Sequence, residues 1–543
     1  MSSRPRREVP VHTSTSPAVS RRLRSRREAP VSIPGEGTGR AGDAESQVSG
    51  KGLSVGKVGL LGAAVVGISV IAPAYTLAGA LGPTVSVVGV HLPAIFLLGF
   101  VPMLLVAAGY RELNSAMPDS GTTFTWVTKA FGPRIGWIGG WGLLAATVLV
   151  LSNLAGIAVD FFYLLLGQIF RSDAITGLSG NVAVNVLTCL VFMAVTCAIS
   201  YRGVEETQRF QYVLVGFQLL ILVVFATAAL VHVAHGTAFD GHTPSIEWFN
   251  PFGVGSFSAF SAGISLSVFI YWGWDTALTL NEEAKDPQKT PGRAALLGIS
   301  VVVILYLLVA CAALAYSGTG DGALGLSNPE IQENVFAALA TPVLGPLGVL
   351  MSLGVLMSSI ASLQSTMVSP ARTMLAMGFY GALPRRFSRI HPRFQTPSYA
   401  TVTSTAIAAG FYTVMRVVSE NVLWDTISAL SLMVCFYYGL TALACVWYFR
   451  HQAFRSVRAF LRMLLGPLLG GVLLLIFFVR TTADSFDPAN GSGSELFGVG
   501  LVFILGAGIL LIGVVTMLVL SRTMPAFFRG EIEVAPGAVD RPE

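Results

Sequence analysis

Charge is what this sequence has little of: Asp, Glu, Lys and Arg make up 12% of its 543 residues, about half the share in a soluble chain. That scarcity, with a mean hydropathy of +0.69, excludes water as the solvent for most of the chain. Polar linkers are also missing, so nothing divides the apolar runs into separate soluble domains. The five cysteines, Cys189, Cys197, Cys311, Cys435 and Cys445, lie inside apolar runs without a CxxC spacing. They read as small packing residues, not as a redox or zinc framework. The seven histidines form no HExxH pair, and no metal or cofactor is expected. No nucleophile is paired with a base, which argues against an enzyme. Net charge is +5, yet the basic residues flank apolar spans instead of interleaving with exposed aromatics, which argues against nucleic acid as a partner.

What the sequence does have is a series of apolar runs near 56–80, 91–109, 135–166, 182–200, 211–233, 257–280, 294–316, 343–371, 399–418, 427–448, 463–479 and 497–520. Each is about 17–30 residues, and about 20 helical residues cross a hydrocarbon core of ~30 Å. Lipid offers the backbone no hydrogen-bond partner, so such runs must be helices. The expected fold is an all-α integral membrane protein of about twelve transmembrane helices. Residues 1–52 are rich in Arg, Ser, Pro and Gly and read as a disordered basic tail. Residues 53–522 form the transmembrane domain, and 523–543 a second tail. Placing the N-terminus in the cytoplasm puts 31 of the 34 lysines and arginines on that side, leaving only Arg171, Arg416 and Arg480 outside. This asymmetry predicts a multi-pass protein of the cell membrane with both termini cytoplasmic.

Two spans carry residues that suit a lipid-facing helix poorly. The first contains Ile71-Ala72-Pro73-Ala74, where proline removes a donor and its ring disturbs the preceding turn. The sixth contains Phe269-Ile270-Tyr271-Trp272-Gly273-Trp274-Asp275, where glycine permits a non-helical backbone and a carboxylate enters an apolar run. Breaks in spans one and six, five apart, predict a 5+5 inverted repeat: halves at about 56–233 and 257–448, plus two C-terminal helices at about 463–520. In transporters built this way, half-helix termini and unwound carbonyls meet the solute between the broken helices. Two readings stand for Asp275, a coupling carboxylate or a cap for the following half-helix. Two also stand for Asp160 and Asn153 in span three, a pathway lining or polar glue between helices.

Three further stretches carry a family resemblance. After span two come Tyr110-Arg111-Glu112-Leu113-Asn114 and Pro118-Asp119-Ser120-Gly121-Thr122-Thr123-Phe124. After span six comes Glu282-Glu283-Ala284-Lys285-Asp286-Pro287-Gln288-Lys289-Thr290-Pro291. After span eight come Ser369-Pro370-Ala371-Arg372, Gly381-Ala382-Leu383-Pro384, His391-Pro392 and Thr396-Pro397. In this order they resemble the amino acid-polyamine-organocation family of permeases, with its leucine-transporter-like fold.

The resemblance implies alternating-access transport of an amino acid or related amine, by symport or exchange. It implies that Ile71, Ala72, Pro73 and Ala74 form the first unwound segment. It aligns Phe269 with an aromatic that closes over substrate, and Ile270, Tyr271, Trp272 and Gly273 with the facing unwound segment. Gln218 takes the place of a lysine that stands in for sodium in some proton-coupled relatives. Ser358, Ser359 and Ser362 supply hydroxyls to a sodium site or simply permit close helix packing. Proton and sodium coupling both stay open, as does a membrane sensor or scaffold that keeps the fold without transport.

Overall fold

The computed structural model describes residues 50–418, 422–488 and 493–531; most of the expected tails at 1–52 and 523–543 lies outside them. The helices in chain order begin with α1 (Leu60–Ile71), α2 (Pro73–Val88), α3 (Leu92–Ala116), α4 (Thr123–Phe131) and α5 (Pro133–Phe170). Next come α6 (Asp173–Thr176), α7 (Val182–Arg202), α8 (Val204–Ala234), α9 (Phe257–Phe269) and α10 (Thr276–Thr279). The chain continues through α11 (Thr290–Ser317), α12 (Val335–Leu344), α13 (Gly348–Thr366), α14 (Val368–Phe379) and α15 (Ser398–Val418). It ends with α16 (Val422–Phe449), α17 (Val457–Ala459), α18 (Gly466–Asp484), α19 (Leu501–Thr523) and α20 (Pro525–Phe528).

Among the described residues, 10 helical stretches are long and apolar enough to cross a membrane, and α9 is a shorter apolar helix. Three stretches are compound: Leu60–Ala116 holds α1 to α3, Val335–Phe379 holds α12 to α14, and Val457–Asp484 holds α17 and α18. Burial separates centre from perimeter: the most apolar window of α5 is 94% buried, against 22% for those of α7 and α19. Helix α5 therefore runs through the core of the bundle, while α7 and α19 present their apolar side chains outward, as lipid-facing helices must.

Both anticipated interruptions are present, with one difference in cause. Helix α1 ends at Ala72, which takes a left-handed conformation (φ 53°, ψ 65°). Pro73 then opens α2 as its first residue, a position where the missing N–H costs nothing and the fixed φ suits a helix. The break thus precedes the proline, and the strain sits on an alanine, at roughly 1–2 kcal/mol. In the sixth span, α9 stops at Phe269 and helix resumes only at Thr276, with Gly273 at φ 107° between them.

Candidate functional site

The two breaks meet. A Cβ built on Gly273 would lie 2.5 Å from Val70 Cγ1 and 3.1 Å from the Val70 carbonyl carbon. Only glycine allows this approach, for reasons of both space and φ. Every predicted residue of the two segments is buried: Ile71, Ala72, Pro73, Ala74, Phe269, Ile270, Tyr271, Trp272 and Gly273.

Backbone groups released at mid-span need partners, and the structure supplies them from side chains. Val70 O accepts from Ser362 Oγ at 2.9 Å, and Ile71 O from Thr76 Oγ1 at 2.5 Å. Tyr75 N–H donates to Ser358 Oγ at 3.3 Å. Across the gap, Ile270 O accepts from the Tyr306 hydroxyl at 3.0 Å, and Gly273 N–H donates to the Tyr438 hydroxyl at 3.4 Å. The peptide groups expected to be bare are held by hydroxyls from α2, α11, α13 and α16.

Asp275 begins α10 but makes no capping hydrogen bond through its side chain. Its carboxylate instead accepts from Tyr438 at 2.8 Å and Tyr437 at 3.2 Å. Tyr437 in turn accepts from Trp272 Nε1 at 2.6 Å. Tyr438 stacks on Trp274 with ring centroids 4.9 Å apart, and Tyr110 packs edge-on against both rings. A single carboxylate is thereby fixed in an aromatic cage directly behind the second break.

The remaining predicted residues divide. Asn153 accepts from the Tyr75 hydroxyl and donates to Thr426 at 3.1 Å, tying α5 to the first break. Asp160, two turns further on, is half-buried and lies in the electrostatic field of Tyr412 on α15. Gln218 accepts from Ser358, while its Nε2 is buried without a partner. Ser359 bonds back to Val355 O at 2.9 Å within its own helix, so it points away from the set formed by Ser358 and Ser362. Tyr437, Tyr438, Tyr306, Thr76 and Gln211 belong to the same network and were not singled out from sequence. Gln211 joins it by accepting from Ser69 at 2.7 Å and donating to Gln364 at 2.6 Å. A tyrosine pair inside an apolar run is the one signal that pointed at Tyr437 and Tyr438, because a buried hydroxyl needs a partner.

The three motif-bearing loops converge at one end of the bundle. Val58 N–H donates to Glu283 O and Lys285 N–H to Val58 O, both at 2.9 Å, which clips the chain before α1 to the chain after α10. Lys51 is buried between Asp119 at 2.5 Å and Glu282 at 2.7 Å. Tyr380 donates to the same Asp119 carboxylate at 2.6 Å. Burial alone would pull the Lys51 ammonium down, but the Asp119 and Glu282 charges outweigh it and hold it well above the usual lysine value. Asp119 is displaced the other way: burial opposes its charge, and Lys51 overcomes that and lowers it. Beside this cluster Arg372 and Glu283, both buried, pair at 2.5 Å. The charges of the three stretches that carry the family resemblance meet across these connections.

Comparison with known proteins places this arrangement. The chain is 26% identical over 324 residues to the methylthioribose transporter of Bacillus subtilis (strain 168), an alignment covering 58% of this chain and 65% of that one. It is 25% identical over 313 residues to the branched-chain amino acid permease BcaP of Lactococcus lactis subsp. cremoris (strain MG1363), covering 55% and 63%. The chain thus spans just under two thirds of the length of these relatives. Its fold is similar to the crystal structure of MhsT in complex with L-phenylalanine, with TM-score 0.54, 17% identity, and coverage of 76% of this chain and 98% of MhsT. A family model described as amino acid permease matches residues 58–510, which includes both breaks and all three loops, and on that match the chain belongs to the amino acid permease family.

Proposed function

We propose that this protein is a secondary active transporter that moves an amino acid or a related amine across a cell membrane by alternating access. The observation that carries the reading is the meeting of two helix breaks at Val70 and Gly273 within an otherwise apolar bundle, since irregular backbone at membrane depth is tolerated only where protein or a cavity surrounds it. Ile71 to Ala74 and Phe269 to Gly273 form the solute site in this proposal. The solute's ammonium and carboxylate groups exchange for the hydroxyls that now satisfy the released peptides. Twelve spans result when α1 with α2, α9 with α10, and α12 to α14 each count as one. The first ten form two inverted five-helix halves, about 56–233 and 257–448. The basic loops then lie in the cytoplasm, by the same count of lysines and arginines.

For coupling we favour a proton over sodium. The hydroxyls of Ser358 and Ser362 are engaged with Gln218 and Val70 O, whereas Asp275 is a carboxylate one residue beyond the second break's Trp274. A branched-chain permease among the relatives supports a neutral amino acid as substrate. The test is uptake of labelled amino acids into proteoliposomes, with a proton or a sodium gradient imposed separately. Uptake driven by the proton gradient and lost in Asp275→Asn is expected. A full panel with neither uptake, exchange nor binding overturns the reading.

A further inference from the structure

Helices α7 and α15 enclose a groove of about 680 Å³ on the outer surface of the bundle, within the size range of pockets that bury a small ligand, roughly 300–1,000 Å³. Its walls are Leu190, Met193 and Cys197 from α7 and Val402, Ala406 and Ala409 from α15. Leu190 is 37% exposed and Val402 50%, so the groove opens toward the surrounding hydrocarbon. Small side chains create the hollow: Ala406 and Ala409 on α15 face Ala194 and Ala198 on α7 across it.

One end differs in chemistry. Tyr201, Arg202 and Phe394 close it. The Tyr201 ring is fixed edge-on against His391 and Phe394, at 5.3 Å and 5.9 Å between centroids, and its carbonyl accepts from Thr396 Oγ1 at 2.8 Å. The Arg393 guanidinium lies 5.5 Å from the centre of the Phe394 ring. Arg202 and Arg393 are both exposed, and among the described residues neither pairs with a carboxylate. Residues 202–209 and 385–397 together hold six arginines against two glutamates. An apolar trough ending in a positive, aromatic-backed rim is complementary to one kind of molecule.

We infer that this groove binds a single anionic phospholipid, with an acyl chain between α7 and α15 and the phosphate on Arg202 and Arg393. Basic pockets at the cytoplasmic ends of membrane helices take anionic headgroups in this way. Assigning the rim to the cytoplasmic leaflet rests on the orientation proposed above; the binding itself does not.

The experiment is native mass spectrometry of the full chain in mild detergent, after exposure to equal amounts of phosphatidylglycerol and phosphatidylcholine with identical acyl chains. Preferential retention of one phosphatidylglycerol is expected. Arg202→Gln and Arg393→Gln should each weaken it about fivefold, the effect of one basic residue near an anionic headgroup. Ala406→Phe should remove the adduct with both arginines in place. Equal retention of the two lipids overturns the proposal, as does wild-type retention in the double arginine variant. Both arginines are exposed, so those variants stay interpretable if Ala406→Phe fails to fold. Retention is counted without any transport step, so a protein with no uptake still tests this site.

Discussion

The centre of the bundle and the end where the three loops meet are both closed, but by different chemistry. At the centre, neutral hydroxyls of Ser358, Ser362, Thr76, Tyr306 and Tyr438 satisfy the peptide groups that the breaks release. At the loop end, charge does the closing, through Lys51 with Asp119 and Glu282 and through Arg372 with Glu283. A neutral hydrogen bond nets about 0.5–1.5 kcal/mol, whereas removing one member of a buried ion pair costs about 3–5 kcal/mol. In the proposed transport cycle the weaker neutral bonds at the centre exchange for a solute, while the ionic end holds until the helices move.

That contrast is broken most severely at Arg372. Arg372→Ala leaves Glu283 buried without its partner and should cost about 3–5 kcal/mol, read as a large fall in thermal unfolding temperature of the detergent-solubilised protein. A change below 1 kcal/mol would show that charge does not govern this end.

Gly273→Ala comes next. The added methyl meets Val70 within 2.5 Å at a φ of 107°, a strained conformation costing about 1–3 kcal/mol before the clash is counted. Uptake should fall at least tenfold, and an unaffected variant would mean that the breaks separate without consequence.

Lys51→Met tests the ionic end through pH. Asp119, lowered in the folded protein, contributes stability that is present above the ordinary carboxylate value and lost as pH falls through its folded value. Lys51, raised, contributes below the ordinary lysine value and loses it as pH rises through its folded value. The stability gap between wild type and variant should be widest between about pH 5 and pH 10 and should narrow on acidification. A gap independent of pH would point to lost packing in place of lost charge.

The smallest effect belongs to the centre. Ser362→Ala removes one neutral bond to Val70 O and should cost about 1 kcal/mol, with the difference from wild type nearly flat across pH. An effect as large as that of Arg372→Ala would erase the distinction between the two regions.

The membrane class, the helical runs and the places of both breaks were legible because they rest on local properties. Apolar length sets a span, and a glycine or proline in one marks a weak point whoever its neighbours are. Details that depend on geometry were less legible. The first break falls on Ala72 because Pro73 is more useful opening α2 than kinking α1. Asp275, read as a possible cap, spends its oxygens on Tyr437 and Tyr438, residues more than 160 positions away in the chain.

The sequence by itself determined the solvent of each segment, because burying charge or bare backbone in lipid is costly at every position where it occurs. It also marked the weak points in spans one and six. Only the tertiary structure decided that the two failures face each other, that hydroxyls from α2, α11, α13 and α16 fill the released bonds, and that three polar loops meet around Lys51 and Arg372. Those outcomes depend on distances between segments far apart in the chain, and a hydrogen bond or ion pair exists only once packing has brought its two ends within about 3 Å.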